Sequence, residues 1–341
     1  MSEMSSTATA AVPAPSTGGP AAGPARGMHV GAFLARFAVV GVWIAMAVLF
    51  GILRPDTFLT DGTVTVIFGS QQALVFLTAA LLCTIIIGEF VDMSVASNFG
   101  FSAIFVSVMT VNHGWNVWVA AIGAVVLSSL IGALNGFLVV KVGVNTIVVT
   151  LGMSTLLLGI ALWMSNLMPV SGLPSSFQKI SSTEVLGLPI SFYYGLALMF
   201  GFAYLLHFTP LGRNMRFVGE SREVSRLAGV RVVRVRWGAF TIAGLIAGVG
   251  GVLSAASTGG FDPNVSQMYL LPIFAATFLG TAILQPGRFN PLGTLIAVYF
   301  LATGVLGLQL LGATSWVSNV FYGGVLVVAV TISTLLHDRS R

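Results

Sequence analysis

Charged side chains are scarce, because Asp, Glu, Lys and Arg together make up 7% of the 341 residues. A soluble domain carries about 25%. Hydrophobic residues reach 56% of the chain, and the mean hydropathy is +0.97. A chain of this composition cannot cover itself with a water-compatible surface, which excludes a water-soluble enzyme and predicts an integral membrane protein.

The residues that build the commonest catalytic and metal sites are also few. The one cysteine, Cys83, rules out an internal disulfide framework or a thiolate cluster. Neither Lys141 nor Lys179 completes the GxxxxGK[ST] phosphate loop, and the four histidines show no metal-ligand spacing. No GxSxG elbow is present. We therefore expect no enzyme activity, no metal and no other cofactor, and any ATP must be hydrolysed by another chain.

The first 31 residues differ in composition from the rest. Four prolines lie there among Ala, Ser, Thr and Gly, which leaves too little apolar surface to offset the entropy of ordering. The segment also lacks the basic region followed directly by an apolar stretch that marks a secretory signal. We predict a disordered tail over 1–31 and one membrane domain over 32–338.

The apolar runs of the membrane domain are continuous over about 17 residues or more, which is typical of membrane-spanning α-helices rather than β-barrel strands. A charge in the middle of the bilayer costs about 2.5 to 3.5 kcal/mol, so charges mark the ends of spans. The predicted fold is all-α with about ten transmembrane helices. The spans are 37–53, 62–88, two within 93–140 divided at 112–114, 142–164, 190–208, 237–258, 267–284, and two within 289–337 divided near 312–315.

One segment decides the orientation in the membrane. Residues 209–236 contain seven of the chain's 13 arginines. Inserting seven would cost about 17 to 25 kcal/mol, so this segment is predicted to be a cytoplasmic loop. The same orientation puts both termini in the cytoplasm and leaves only Arg54 and Lys179 outside among the basic residues.

The arginine-rich segment also has the pattern of a short helix. Ser221 is a good N-cap, Glu223 would lie in the first turn, and Gly229 suits the C-terminal end. Val224, Leu227 and Ala228 would share one face. An amphipathic helix between two spans favours a docking element for a soluble partner. The alternative is a basic loop that contacts anionic lipid headgroups.

Polar residues interrupt the apolar spans at a few places. Glu89 and Asp92 follow a long apolar run, and two readings are open: a helix break beside a transport path, or a simple position at the cytoplasmic interface. Polar uncharged residues are candidates either for hydrogen bonds between helices or for contacts along a substrate path. The candidates are Asn98, Asn135, Asn145, Thr146 and Thr150.

Three stretches resemble the membrane permeases of bacterial ABC importers of the ribose, xylose and inositol class. LGRNMRFVGESREVSRLAGV is similar to the cytoplasmic coupling segment of that family, NGFLVVKVGVNTIVVTLG to its NG...FIVTLG signature, and LGLQLLGATSWVSNVFYGG to a late NLLG...W...GG stretch. The resemblance extends over about residues 40–335. GEFVDMSVAS departs from the usual GEFDLSVG, with an additional Val91 and with Ala96 in place of a glycine.

The resemblance implies a bacterial inner-membrane transport subunit for a sugar or sugar-like small molecule. Its partners would be ATPase subunits, a periplasmic or extracellular solute-binding protein, a second permease copy or paralogue, and membrane lipid, with no nucleic acid. The ATPase would dock on Arg213, Arg216, Gly219, Glu220, Arg222, Glu223, Val224, Arg226, Leu227, Ala228 and Gly229. The expected substrate pathway contains Glu89, Asp92, Asn98, Asn135, Asn145 and Thr150.

Two other functions stay open from the sequence. A related ABC permease for branched-chain amino acids or another small solute would share the organisation of the chain. A secondary transporter driven by protons or sodium would normally need ionisable groups deep in the bundle, or broken helices in two related halves.

Overall fold

The computed structural model describes the backbone of residues 27–338 and the side chains of residues 37–331. Most of the tail predicted over 1–31 therefore lies outside the described residues, and the first helix already begins at Gly27. The α-helices are α1 Gly27–Leu53, α2 Pro55–Phe58, α3 Asp61–Val64, α4 Gln72–Ile86, α5 Ser94–Val111, α6 Val117–Phe137, α7 Thr146–Met164, α8 Ser175–Ser182, α9 Ile190–Phe208, α10 Pro210–Glu220, α11 Arg222–Leu227, α12 Val232–Thr258, α13 Val265–Met268, α14 Leu270–Leu279, α15 Pro291–Leu310 and α16 Trp316–Asp338.

Shorter elements join or extend these helices. Single π-helical turns at Thr65–Gly69 and Leu138–Val142 extend α3 and α6, and a 3₁₀ turn at Gly280–Ala282 extends α14. The strands are two residues each and form two antiparallel pairs, β1 with β4 and β2 with β3. They are β1 Val170–Ser171, β2 Glu184–Val185, β3 Leu188–Pro189 and β4 Gly260–Phe261.

Within the described residues, eight helices are long and apolar enough to cross a membrane. Two shorter apolar helices, Phe37–Leu53 and Trp316–Thr331, accompany them. The protein is therefore an all-α membrane protein. Most bounds lie within a few residues of the predicted spans, and α9 matches 190–208 at both ends. The largest differences are at the starts of α1 and α12, which begin ten residues before the predicted 37 and five before the predicted 237.

Helix α12 lies at the centre of the bundle and packs against α4, α5 and α6. Glycines make its contact with α6 close. A Cβ added to Gly132 would overlap the carbonyl oxygen of Phe240, and one added to Gly244 would overlap the carbonyl oxygen of Ser128. Gly132 and Gly244 thus serve the close packing of α6 on α12.

We expect Gly244→Leu to disrupt this contact, because an added side chain meets backbone that cannot move aside. Overpacking costs typically about 1 to 3 kcal/mol, and a backbone overlap lies at the upper end. The measurement is the yield of monodisperse protein in size-exclusion chromatography. Gly238→Leu is the matched control, since it lies on the same helix with nothing within 4 Å of its added Cβ. Equal yields for the two variants would contradict the packing role.

The segment between α7 and α9 is more ordered than the turn-rich loop that its prolines and glycines suggest. Strand β1 pairs with β4, which follows α12 directly. Helix α8 packs on α12, with Phe177 fully buried and Ser181 Oγ donating a hydrogen bond to the Leu253 carbonyl oxygen (2.9 Å). Gly260 allows the pairing, because a Cβ there would overlap the Val170 carbonyl oxygen.

Candidate functional site at the Glu89 junction

Residues 87–93 form a non-helical break between α4 and α5. Gly88 starts the break with a left-handed φ of +82°, a conformation that favours glycine. Asp92 ends it, because its Oδ1 accepts hydrogen bonds from the backbone N (3.0 Å) and the hydroxyl (2.7 Å) of Ser94, the first residue of α5. Burial raises the pKa of the Asp92 carboxyl to about 6. The break turns Glu89 toward the neighbouring helices.

Glu89 is 5% exposed and joins three other elements. Its Oε1 accepts from Arg222 Nη2 (2.8 Å) on α11 and from Arg236 Nε (2.9 Å) on α12, and Arg236 Nη2 contacts the same oxygen. Its Oε2 accepts from the hydroxyl of Thr146 at the start of α7 (2.5 Å). We call Glu89, Thr146, Arg222 and Arg236 the Glu89 junction.

The two arginines of the junction differ in exposure. The side chain of Arg222 is 46% exposed and that of Arg236 is 15% exposed. Water and salt weaken an exposed ion pair, whereas a shielded pair is strongly destabilised when one partner is removed. Arg236 is therefore the better shielded counter-charge of Glu89, and the ion pair with Arg222 is the one that water weakens more.

Helix α11 has the geometry expected from the sequence. The Ser221 hydroxyl accepts from the backbone N of Val224 (3.3 Å), Glu223 lies in the first turn, and Gly229 follows the helix with φ +81°. Val224 and Leu227 are 55% and 85% exposed. The helix thus presents an apolar face whose two side chains are largely exposed in the described part of the chain.

The region before α11 is helical too, which the prediction of a loop over 209–236 missed. Helix α10 begins at Pro210, and the Thr209 hydroxyl caps it by accepting from the backbone N of Gly212 (3.2 Å). A Cβ added to Gly219 would overlap the carbonyl oxygen of Ile86. The end of α10 is therefore packed directly onto the end of α4, beside Glu89.

The predicted docking residues occupy two kinds of position. Gly219 and Arg216 are partly buried, and Gly219 packs inward on α4. Burial and the nearby charge of Arg288 lower the pKa of Arg216. The remaining members are exposed: Arg213, Glu220, Arg222, Glu223, Val224, Arg226, Leu227, Ala228 and Gly229.

The predicted pathway residues lie in the same part of the bundle. Asn145 is exposed and caps α7, with its Oδ1 accepting from the backbone N of Ile147 (2.9 Å). Thr150 is buried and donates to the carbonyl oxygen of Val91 (3.4 Å). The others are buried as well: Glu89, Asp92, Asn98 and Asn135.

Three of these buried residues share a small closed space. Asp92, Asn98 and Asn135 line a void of about 10 Å³ between α5, α6 and α12. Asn98 Nδ2 donates to the Ser128 carbonyl oxygen (3.0 Å), and Asn135 Nδ2 donates to Ser94 Oγ (2.8 Å). The void has room for a water molecule but not for a sugar-sized solute.

Sequence reasoning missed Arg236 as a site residue, and it considered Thr146 only as a polar group at the start of a helix, without naming Glu89 as its partner. The signal for a counter-charge was present, because a carboxylate after a long apolar run needs a partner. Nothing in the sequence distinguishes Arg236 from the other six arginines of the same segment. No group of three His, Cys, Asp or Glu side chains able to hold a metal occurs among the residues whose side chains are described.

The fold and the junction define a multi-pass membrane protein. Among the residues whose side chains are described, its buried ion pairs are those of Glu89, which link a basic surface helix to the bundle. A family model described as "Branched-chain amino acid transport system / permease component" matches residues 65–330. The chain belongs to this permease family and is a transport subunit rather than an enzyme.

Relatives of similar length match over most of the chain. The chain is 33% identical to the autoinducer 2 import system permease protein LsrC of Enterobacter sp. (strain 638), over 89% of this chain and 85% of the relative. It is 28% identical to LsrD of Klebsiella pneumoniae, over 89% and 92%, and 28% identical to LsrD of Escherichia coli K12, over 89% and 93%. No solved structure matches.

These matches confirm the resemblance seen in the motifs. The protein is a permease component of an ABC import system of the ribose type, located in the bacterial inner membrane. The family implies an ATPase and a solute-binding protein as partners. Import of branched-chain amino acids, the substrate in the family description, is not favoured, because the full-length relatives are named for autoinducer 2 import.

Proposed function

We propose that this permease forms a pathway for a neutral, polyhydroxylated, sugar-like solute related to autoinducer 2, and that a separate ATPase drives it by pulling on α11. The observation that carries the proposal is the junction in which Glu89 joins Arg222 of α11 to Arg236 of α12 and Thr146 of α7. If a partner displaced α11, Arg222 would pull on the carboxylate of Glu89. Glu89 would then transmit this force to α12 through Arg236 and to α7 through Thr146.

The ATPase would bind the exposed face of α11. Val224 and Leu227 supply an apolar contact, and Arg213, Arg222 and Arg226 surround it with positive charge. An acidic, partly apolar groove on the ATPase would complement this surface. A loop that only contacts anionic lipid would need the arginines but would gain little from a capped helix with an outward apolar face.

The membrane topology that we propose has ten spans with both termini in the cytoplasm. It counts the eight long helices together with the two shorter apolar ones. The segment containing α10 and α11 then lies inside, and the β2–β3 turn lies outside.

We expect thiol labelling to distinguish the two sides. Leu186→Cys, in the β2–β3 turn, should react with a membrane-impermeant maleimide in intact cells. Leu227→Cys should react only after lysis. Leu186 and Leu227 are 92% and 85% exposed, so both introduced thiols are accessible from their own side. The variants are made in a Cys83→Ala background, and labelling of Leu227→Cys in intact cells would contradict the orientation.

The solute pathway is proposed along the polar residues of α5, α6 and α7, together with a second permease copy or a paralogue. Asn98, Asn135, Asn145 and Thr150 are uncharged hydrogen-bonding groups, which suits a neutral hydroxylated solute. The void beside Asn98 is about 10 Å³, so this path is closed in the present conformation and the helices must separate to admit a solute.

Uptake measured after reconstitution tests the function as a whole. The permease is placed in proteoliposomes with its ATPase and solute-binding protein, and uptake of labelled sugar-like solutes and of leucine is compared. We expect ATP-dependent uptake of a sugar-like solute and none of leucine. Uptake of leucine, or uptake that follows a proton or sodium gradient without ATP, would contradict the proposal.

A further inference from the structure

The void between α5, α6 and α12 is lined in part by polar side chains, and some of their atoms have no hydrogen-bond partner among the described residues. It is lined by Asp92, Ser94, Asn98 and Asn135 on the polar side, and its apolar side consists of Val95, Gly132, Phe240, Ala243 and Gly244. Asn98 and Asn135 are 2% and 1% exposed. Bulk water therefore does not reach their amides.

The side-chain oxygens of both asparagines have no hydrogen-bond partner among the described residues. Their NH₂ groups are already used, by the Ser128 carbonyl oxygen for Asn98 and by Ser94 Oγ for Asn135. Exchanging the oxygen and nitrogen of either amide would break that bond, so the two oxygens are the atoms that lack a hydrogen-bond partner. Buried polar groups in native proteins nearly always have a partner, which is often an ordered water.

No protein donor lining the void is free to serve these oxygens. The hydroxyl of Ser94 donates to Asp92 Oδ1 and accepts from Asn135, and the Ser94 backbone N also bonds Asp92. The polar wall therefore presents acceptors, and its occupant must supply hydrogen-bond donors or positive charge.

We propose that one buried water molecule occupies this void and donates one hydrogen bond to Asn98 Oδ1 and the other to Asn135 Oδ1. The void of about 10 Å³ is of the size that holds a single water. A metal cation fits less well, because hard cations take about six or more oxygen ligands, and this wall offers fewer. The proposal does not depend on the transported solute.

The water would add a second link between two helices that these residues already join, since Asn98 of α5 donates to Ser128 of α6 and Asn135 of α6 donates to Ser94 of α5. Asn98 lies on α5 and Asn135 on α6, beside the close contact of Gly132 with α12. A water can exchange partners while staying bound, whereas a direct side-chain bond must break. The bridge would therefore be an exchangeable contact between α5 and α6, which can break and re-form when the helices move.

A double-mutant cycle tests whether the two asparagines share one ligand. Asn98→Leu and Asn135→Leu keep the branching of the side chain but remove each amide, both its oxygen and the NH₂ group that bonds the neighbouring helix. We expect each variant to lower the apparent melting temperature of the purified protein, and the double variant to lower it by less than the sum of the two. Strict additivity would overturn the proposal. Asn98→Leu with Gln72→Leu is the control pair, expected to be additive, because Gln72 has its own bond to the Gly250 carbonyl oxygen.

An experimental density map that resolves ordered waters tests the occupant itself, using the unmodified protein in lipid nanodiscs. We expect one peak at about 2.8 Å from Asn98 Oδ1 and Asn135 Oδ1 in a buffer that contains neither sodium nor potassium and has a bulky organic cation as its counter-ion. An empty void would overturn the proposal. A peak that appears only when sodium is present would also overturn it, in favour of a cation site.

Discussion

Replacement of Glu89 by Ala is expected to lower both the stability of the protein and its transport. The substitution leaves Arg236, which is 15% exposed, without a counter-charge in a shielded position. Breaking a buried ion pair by removing one partner costs about 3 to 5 kcal/mol. Arg222 adds little to this loss, because its side chain is 46% exposed and the pair is screened. We expect a lower apparent melting temperature and a loss of ATP-driven uptake of about tenfold or more.

Two further variants test whether the defect comes from loss of the negative charge at Glu89, and not from loss of any carboxylate on the protein. Glu89→Gln keeps the shape and an accepting oxygen but removes the charge, and its defect should lie between those of wild type and Glu89→Ala. Glu184→Ala removes an exposed carboxylate on β2 for which the described residues provide no ion pair, and it should behave as wild type. Wild-type melting and uptake for Glu89→Ala would show that the junction carries neither stability nor coupling.

The second large effect is expected on the outward face of α11. Introducing acidic side chains with Val224→Glu and Leu227→Glu places two carboxylates where we propose an apolar contact with the ATPase. The two side chains are 55% and 85% exposed, so the fold of the permease alone is not expected to change. Truncating or charging central interface residues commonly costs about 2 kcal/mol or more each, and we expect the ATPase to be lost on co-purification.

The control for this variant is Leu186→Glu, at a position that is 92% exposed in the β2–β3 turn. It should retain the ATPase completely. A double variant of α11 that still captures the ATPase at the wild-type ratio would exclude α11 as the docking element. Reduced membrane insertion of that variant would lower the total yield of permease. The amount of ATPase is therefore compared per amount of permease recovered.

Much of the fold could be predicted from the sequence, because a membrane leaves few options for an apolar chain. Charges are costly inside the bilayer and therefore mark the ends of helices, as at Phe208, where α9 ends close to the arginine-rich segment. The N-cap of α11 could also be predicted, since Ser221 needs only its local neighbours to act as a cap.

The features that the sequence did not predict depend on tertiary contacts or on a weak local signal. Helix α10 had a signal in Thr209-Pro210, an N-cap followed by proline at the first helical position, but the density of arginines favoured a loop. Helix α12 begins at Val232 and takes Arg236 into its first turns, because Glu89 offers a buried partner there. The pairing of β1 with β4 joins residues about 90 positions apart, which no local pattern reveals.

The candidate site was likewise predictable only in part: its unusual residue could be identified from the sequence, but its partners could not. Glu89 was identified as unusual from its position after an apolar run, but its partners are 57, 133 and 147 residues away along the chain. The asparagines were proposed either for helix contacts or for the solute path. Their NH₂ groups make hydrogen bonds to other helices or their ends, whereas their oxygens face a void too small for a solute.

The central claim is that motion of α11 reaches the bundle through the contact of Arg222 with Glu89. The most direct test is the ratio of solute taken up to ATP hydrolysed by the Arg222→Ala permease, assembled with its ATPase and binding protein in proteoliposomes. We expect the ATPase to remain bound and active, because Val224 and Leu227 keep the apolar contact and Arg222 lies at its rim. Uptake per ATP should fall about tenfold, equivalent to ~1.4 kcal/mol of coupling free energy. A wild-type ratio for Arg222→Ala would contradict the claim.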